Sequence, residues 1–277
     1  MIDLHTHSTH SDGRTTVAAN VDDAVRAGLD GMAVTDHDTL AGWDEGASAC
    51  AAAGIELVPG VELSCEVDGA SVHVLGLWVD RGDPALVAEL ARLRGERDRR
   101  AREMVARLEE LGVPVGLDAV RAHAGSAPVG RPHVAAALVD AGHVADHAAA
   151  FTELIGDDGP AYVPKRALHP VDAVALLRAA GGAAVLAHPG QSSPVVTSRL
   201  VSAMARGGLG GIEAHHAAHT EDARMQWSEV ARELDLVVTG GSDHHGDTVG
   251  RTGRGIGSGV THRVELARLR EDYAGGS

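Results

Sequence analysis

Gly31-Met32-Ala33-Val34-Thr35-Asp36-His37-Asp38 is the stretch on which the fold turns. An apolar run this short, with no polar interruption, reads as a strand buried on both faces. It stops abruptly in two carboxylates around an imidazole. The same arrangement recurs on either side. Upstream, residues 17–27 have helical spacing closed by Gly28, and residues 2–5 read as a first strand followed by His7. Downstream, residues 43–53 form a helical pattern closed by Gly54, then a strand over 55–58 runs through Pro59-Gly60 into Val61-Glu62-Leu63-Ser64. Asp68-Gly69 is a hairpin signal, and residues 72–78, carrying His73, return from it.

The alternation stops near Pro84. Residues 86–111 form one long helical pattern dense in Arg and Glu, helical fragments follow at 133–138 and 148–155, and only Tyr162-Val163 reads as a strand. Alternation then resumes, with helices over 171–180, 198–206 and 221–234. Strands over 183–187, 211–214 and 236–239 lie between them; the first leads into His188-Pro189-Gly190, the last into Gly241-Ser242-Asp243-His244-His245. Repeated strand–helix units imply a parallel sheet with helices outside. The expected organisation is an α/β domain made of residues 1–83 and 166–277, interrupted by a helical insertion or cap over 84–165.

Functional groups in parallel α/β folds collect at the carboxyl ends of strands. Here those ends carry metal-ligand residue types: His5 and His7, Asp36 and His37, Glu62, His188, Asp243 and His245. Residues two apart in extended chain point the same way, so His5 and His7 can reach one ion. A lone His-x-His means little; convergence of several strand ends on these side chains predicts a metal centre. Mixed imidazole and carboxylate donors suit Zn, Mn or Fe rather than Ca. Glu62, the carboxylate in the middle of the series, is placed to bridge two ions, and paired ions can clamp an in-line displacement.

Composition sets outer limits. Hydrophobic residues make up 44% of the 277 and aromatics only 2%, so the core must be built from small aliphatic side chains. The net charge of −15 argues against a nucleic-acid-coating role and a stable nucleic-acid partner. No apolar run approaches the roughly 18 residues of a membrane span, and the first residues lack the pattern of a signal peptide. Two cysteines, Cys50 and Cys65, supply no disulfide framework, which suits a cytoplasmic setting.

His5-Thr6-His7-Ser8, Ser11-Asp12-Gly13, Thr35-Asp36-His37-Asp38 and Pro59-Gly60-Val61-Glu62-Leu63-Ser64 resemble the motifs of the polymerase and histidinol phosphatase (PHP) superfamily. Ala187-His188-Pro189-Gly190 and Gly241-Ser242-Asp243-His244-His245 complete the set in order, and the resemblance spans essentially the whole chain. It is strongest to the branch that cleaves nucleoside 3′,5′-bisphosphates, some members of which trim RNA from its 5′ end. The resemblance implies a distorted (β/α)7 barrel with an inserted helical cap and three divalent metals, Mn2+, Zn2+ or Fe2+. It implies one metal on His5, His7, Glu62 and Asp243, a second on Glu62, His73 and His188, and a third on Asp12, His37 and His245. Asp36 would orient a ligand. Gly130-Arg131-Pro132-His133 resembles the segment that supplies a phosphate-binding arginine. Lys165 could add a second cationic contact, while His133 would either touch substrate or pack its helix. His244 departs from the family pattern, where an aromatic is common.

The implied substrate is a phosphorylated nucleotide or short RNA. A histidinol-phosphate phosphatase is a further enzymatic reading, and a non-catalytic metal-binding module a reading of another class. Three features read as functionally silent. The arginines of 92–107 interleave with acids as on a solvated helix with i,i+4 ion pairs. His215, His216 and His219 read as solvent-facing loop histidines. The glycine-rich stretch 250–259 reads as a loop.

Overall fold

The computed structural model describes residues 1–192, 194–246 and 255–274. Seven strands lie in the sheet in their order along the chain: Ile2–Asp3 (β1), Gly31–Val34 (β2), Glu56–Val67 (β3), Ala70–Leu77 (β4), Ala183–Leu186 (β5), Leu209–His216 (β6) and Val237–Gly241 (β7). The two ends of the sheet meet. The Leu4 amide donates to the Gly240 carbonyl (3.3 Å), Asp243 to His5 (2.9 Å) and His7 to His244 (2.9 Å), so the sheet curls into a nearly closed barrel.

The barrel is distorted because one strand runs backwards. Asp68 (φ +49°) and Gly69 (φ +83°) make a two-residue turn with both residues in the left-handed region, the geometry of a tight hairpin. β4 is therefore antiparallel to β3 and also to β5, while the other neighbours are parallel.

Strand alternation divides the aliphatic side chains into two cores. Met32 and Val34 of β2 and Ala184 and Leu186 of β5 face the surrounding helices, and the Leu177 side chain lies against Gly76, where a Cβ would come within 2.3 Å of it. Ala33, Ala183 and Val185 face the other way, together with Ile2, Leu4, Leu75 and Leu77. The helices outside the barrel are Val17–Arg26 (α1), Trp43–Ala53 (α2), Pro170–Ala179 (α7), Ser198–Arg206 (α8) and Glu221–Glu233 (α9). Arg263–Ala274 (α10) adds Leu266 and Leu269 to the second core. α10 is not expected from the sequence, because its own apolar residues mark no pronounced face.

Residues 84–165 hold Pro84–Glu110 (α3), Leu117–Ala124 (α4), Arg131–Asp140 (α5), the short His147–Ala150 (α6) and a π-helical turn over Phe151–Ile155. α3 starts sharply: the Asp83 carboxylate accepts the Leu86 amide at 2.8 Å and Pro84 occupies the first turn. These helices share an apolar cluster of their own, including Met104, Leu108, Val134, Leu138, Ile155 and Val163. Tyr162-Val163 is not a strand. Its carbonyls accept from the side chains of Arg107 and Arg100 on α3, which leaves them no sheet partner. Of the glycine-rich stretch, residues 250–254 lie outside the described ones, and 255–259 form a turn closed by Ser258 N–H to the Gly255 carbonyl at 3.0 Å. No helix among the described residues is long and apolar enough to cross a membrane.

The barrel seam is tight. A Cβ on Gly241 would lie 2.3 Å from the His5 Cβ and 2.5 Å from a Glu213 carboxylate oxygen. Gly241→Ala is expected to lower unfolding stability by about 1–3 kcal/mol through overpacking, read from urea denaturation. An unchanged midpoint would show that the seam can yield.

Candidate metal centre

His5 and His7 leave the end of β1 with their imidazoles on one side, Nε2 to Nε2 at 3.1 Å, while Thr6 turns back and donates its hydroxyl to the Ala33 carbonyl at 2.6 Å. The loop that follows is shaped by Asp36. Its carboxylate accepts the Ser8 amide (2.8 Å), the Ser8 hydroxyl (2.8 Å) and the Ser11 hydroxyl (2.6 Å). Asp36 thus stands outside the donor cluster and acts on the segment that carries His7 and Asp12.

Glu62, fully buried on β3, is the meeting point. Its Oε1 lies 2.8 Å from His73 Nδ1 and 3.0 Å from His188 Nε2; its Oε2 lies 2.9 Å from His37 Nδ1, 3.1 Å from His7 Nε2 and 3.3 Å from His5 Nε2. Asp243 Oδ1 lies 3.3 Å from His7 Nε2, and Asp12 Oδ1 lies 3.3 Å from His245 Nε2. Ligand atoms close enough to share an ion form four overlapping sets: His7, Asp12, His37 and His245; His5, Glu62 and His188; His5, His7 and Asp243; His37, Glu62 and His73.

These residues fit divalent cations for a specific reason. Asp12 Oδ1, His37 Nδ1, Glu62 Oε2, His73 Nδ1 and His245 Nε2 are buried and make no hydrogen bond among the described residues. Orphaned buried donors and acceptors are costly. Here they crowd around one space as hard oxygen and imidazole ligands, the mixture preferred by Zn, Mn or Fe.

Several side chains set the lone pairs. His5 Nδ1 donates to the Glu213 carboxylate (3.0 and 3.2 Å), which leaves Nε2 facing the site. His245 Nδ1 donates to the Asp243 carbonyl at 2.8 Å, so its Nε2 faces Asp12. Glu213 also accepts the His188 amide at 2.8 Å. That bond helps hold His188 at φ +27°, and Asp243 likewise sits at φ +52°. Backbone strain of this kind persists where neighbours over-determine it.

Glu213 was not among the residues singled out from sequence, and the reading of His216 and His219 as solvent-facing loop histidines needs correction. Strand β6 continues to His216, and only His215 faces solvent. His216 is fully buried, accepts the Ala218 amide on Nδ1 (3.1 Å), and so directs Nε2–H toward Asp243 Oδ2 at 3.6 Å. His219 is buried too, and staples the turn after His188 by accepting the Gly190 amide at 3.1 Å. A carboxylate inside the apolar strand Gly211-Ile212-Glu213-Ala214 was the available signal.

Burial opposes charge throughout the centre, and neighbouring charges outweigh it at some groups and not at others. Glu62 is buried, yet His37, His73 and His5 hold its carboxyl well below the ordinary range. His7 is buried, yet contacts with Asp243 and Glu62 raise it to about 9. Burial dominates at His73, pushed down to about 3, and at His245, pushed down to about 4. Protons are thus unevenly shared within a donor set that cations would occupy in their place.

The helical segment faces this centre with cations. Lys165 donates to Ser71 Oγ (2.8 Å) and lies 3.4 Å from His73 Nε2; burial, reinforced by Arg97, Arg100 and Arg131, draws its ammonium down to about 7. Arg131 pairs with Asp157 at 2.6 Å and lies over the rings of Phe151 and Tyr162. His133 Nδ1 accepts the Gly130 amide at 2.9 Å, closing the start of α5. Ion pairs along the outer face of α3 do form, as in Arg99–Glu103 and Arg102–Asp98. Arg97 and Arg100 depart from that reading and turn inward.

Residues 3–115 match the PHP domain family. The chain is 36% identical over 246 residues to a 5′-3′ exoribonuclease of Haemophilus influenzae, covering 88% of this chain and 89% of that one. It is 36% identical over 259 residues to a 3′,5′-nucleoside bisphosphate phosphatase of Chromobacterium violaceum, covering 92% and 90%. A solved structure from Bifidobacterium adolescentis, provisionally named a metal-dependent phosphoesterase, is similar with a TM-score of 0.91 at 32% identity over 98% of this chain and 96% of that one. Fold, donor clusters and relatives define a hydrolase of the metal-dependent phosphoesterase class. The chain belongs to the PHP family.

Removing the charge that orients His5 tests this arrangement. Glu213→Gln is expected to weaken cation binding about 10–100-fold, measured by titration calorimetry with Mn2+ on protein stripped by chelator. Wild-type affinity in a folded variant would show that Glu213 does not set the ligand.

Proposed function

We propose that the centre hydrolyses a phosphomonoester of a nucleotide, converting a nucleoside 3′,5′-bisphosphate to the nucleoside 5′-monophosphate and inorganic phosphate. The observation that carries this reading is the division of Glu62: one oxygen faces His73 and His188, the other faces His5, His7 and His37. A carboxylate split in this way would offer an oxygen to each of two cations, a pairing that can clamp an in-line displacement at phosphorus. The relative from Chromobacterium violaceum supports the substrate.

In this reading three divalent cations, Mn2+, Zn2+ or Fe2+, occupy the site. His5, His7, Glu62 and Asp243 would hold the first, Glu62, His73 and His188 the second, and Asp12, His37 and His245 the third. When bound, such cations supply Lewis acidity and bring water within reach of deprotonation at neutral pH. The chain's own part is to place the substrate and neutralise its charge. Arg131 and Lys165 attract phosphate oxygens, with His133 at the edge of the same opening, and Asp36 keeps the His7–Asp12 loop in place. The leaving 3′-oxygen takes its proton from water or a nearby imidazole. Residues 84–165 serve as a cap that excludes bulk water. The unpaired thiols of Cys50 and Cys65 support a cytoplasmic setting.

A phosphate-release screen over phosphomonoesters with Mn2+ added, histidinol phosphate among them, is expected to rank the bisphosphates first. Glu62→Ala is expected to fall to the background rate while its far-UV circular dichroism stays wild-type. Wild-type turnover by that variant would overturn the mechanism.

The relative from Haemophilus influenzae favours a second reading, 5′-3′ trimming of short RNA by the same centre. Values of kcat/KM measured against chain length at fixed salt separate the two. A steep preference for single nucleotides rejects trimming, whereas rising efficiency with length supports it.

A further inference from the structure

Outside the barrel, between α9, strands β6 and β7 and the chain leading into α10, lies a cavity of about 620 Å3. That volume is within the range of small-molecule sites. A single strand separates it from the metal centre: on β6, His216 turns inward toward Asp243, whereas His215 turns outward and lines the cavity.

Arg224 and Arg232, about two turns apart on α9, line it together with His215 and His262. Among the described residues, none of these basic side chains pairs with a carboxylate. Arg224 is fixed through Nη2, which donates to the His216 carbonyl at 3.1 Å, while its Nε is buried and has no hydrogen-bond partner among the described residues. A buried N–H left unmatched is costly. Burial, Arg224 and His262 together hold the His215 imidazole below its ordinary range, so basic groups crowd one another here with no acid between them. A phosphate dianion would relieve that crowding and meet a guanidinium and two imidazoles. The cavity also holds Glu221 and Glu265, each in the first turn of its helix, where the helix dipole favours a carboxylate. Neither forms an ion pair among the described residues. Ionised carboxylates only accept hydrogen bonds. They would repel a bare phosphate, but they suit one that carries sugar hydroxyls, and Val238 and Val260 add apolar cover.

We infer that this cavity is a second ligand site, separate from the metal centre, that binds a ribose phosphate: Arg224, His215 and His262 take the phosphate, and Glu221 and Glu265 take sugar hydroxyls. A free sugar phosphate and a nucleoside monophosphate share this chemistry. The site does not depend on which phosphoester the metal centre cleaves.

Binding is read by calorimetry on Mn2+-loaded enzyme with three probes whose P–C bonds resist hydrolysis: the phosphonate analogues of ribose 5-phosphate and of adenosine 5′-monophosphate, and methylphosphonate. For the sugar phosphonates, the Kd of one site per chain is expected to weaken about 10–100-fold in Arg224→Gln, the loss of one charge-assisted contact. Arg224→Lys should fall in between. Similar affinity for the two sugar phosphonates supports a site for the ribose phosphate itself, and a tenfold preference for the adenosine analogue supports a nucleotide site. Glu221→Gln is expected to weaken the sugar phosphonates and leave methylphosphonate unchanged. Binding of both sugar phosphonates that Arg224→Gln leaves unaltered overturns the site, as does methylphosphonate bound there as tightly as the ribose analogue. Should Arg224→Gln fail to fold, His262→Gln, at the exposed rim, gives the same comparison.

Discussion

The structure is organised around one buried carboxylate in contact with five imidazoles. Glu62 has no access to water, so its charge must be balanced by neighbours. Much of the barrel's irregularity serves that balance. A long β3 carries Glu62 at its middle, and the reversed β4 brings His73 opposite Ser64 on the adjoining strand. A bridge between His37 and Glu62 links the loop after β2 to the same point. An all-parallel sheet with short crossovers would deliver ligands only from strand ends; the long hairpin adds Glu62 and His73 from strand interiors.

The donors at strand ends were legible in the sequence because the signal is local: an apolar run, then an abrupt imidazole or carboxylate. His5, His7, His37, His188, Asp243 and His245 all announce themselves in this way, and the structure brings them together with Asp12, Glu62 and His73. His216 was not legible for a related reason. The strand reading ended at Ala214, which consigned the next histidines to a loop. The strand in fact runs two residues further, with a register shift between Glu213 and His215, and alternation then sends His215 outward and His216 inward.

Helix α3 shows another limit. Its charge pattern is that of an exposed helix, and along its outer face this is what forms. What turns Arg97 and Arg100 into pocket residues is the chain over 163–167 and the start of α5, some 30 or more positions away. The same event removed the expected strand at Tyr162-Val163, whose carbonyls are taken by arginine side chains. Local periodicity reports that a helix exists, but not which segment will cover which of its faces.

The seam between β1 and β7 bears on how the protein is made. Translation delivers His5 and His7 long before Asp243 and His245, and domains generally fold as units once their residues are available. While the polypeptide is still growing, β1 has only one of its two eventual flanks, and the amides and carbonyls that later engage Gly240, Asp243 and His244 remain open to water. Complete coordination therefore waits until β7 and the segment after it have been made. A nascent chain released early would expose histidines capable of scavenging ions indiscriminately, without the geometry to use them.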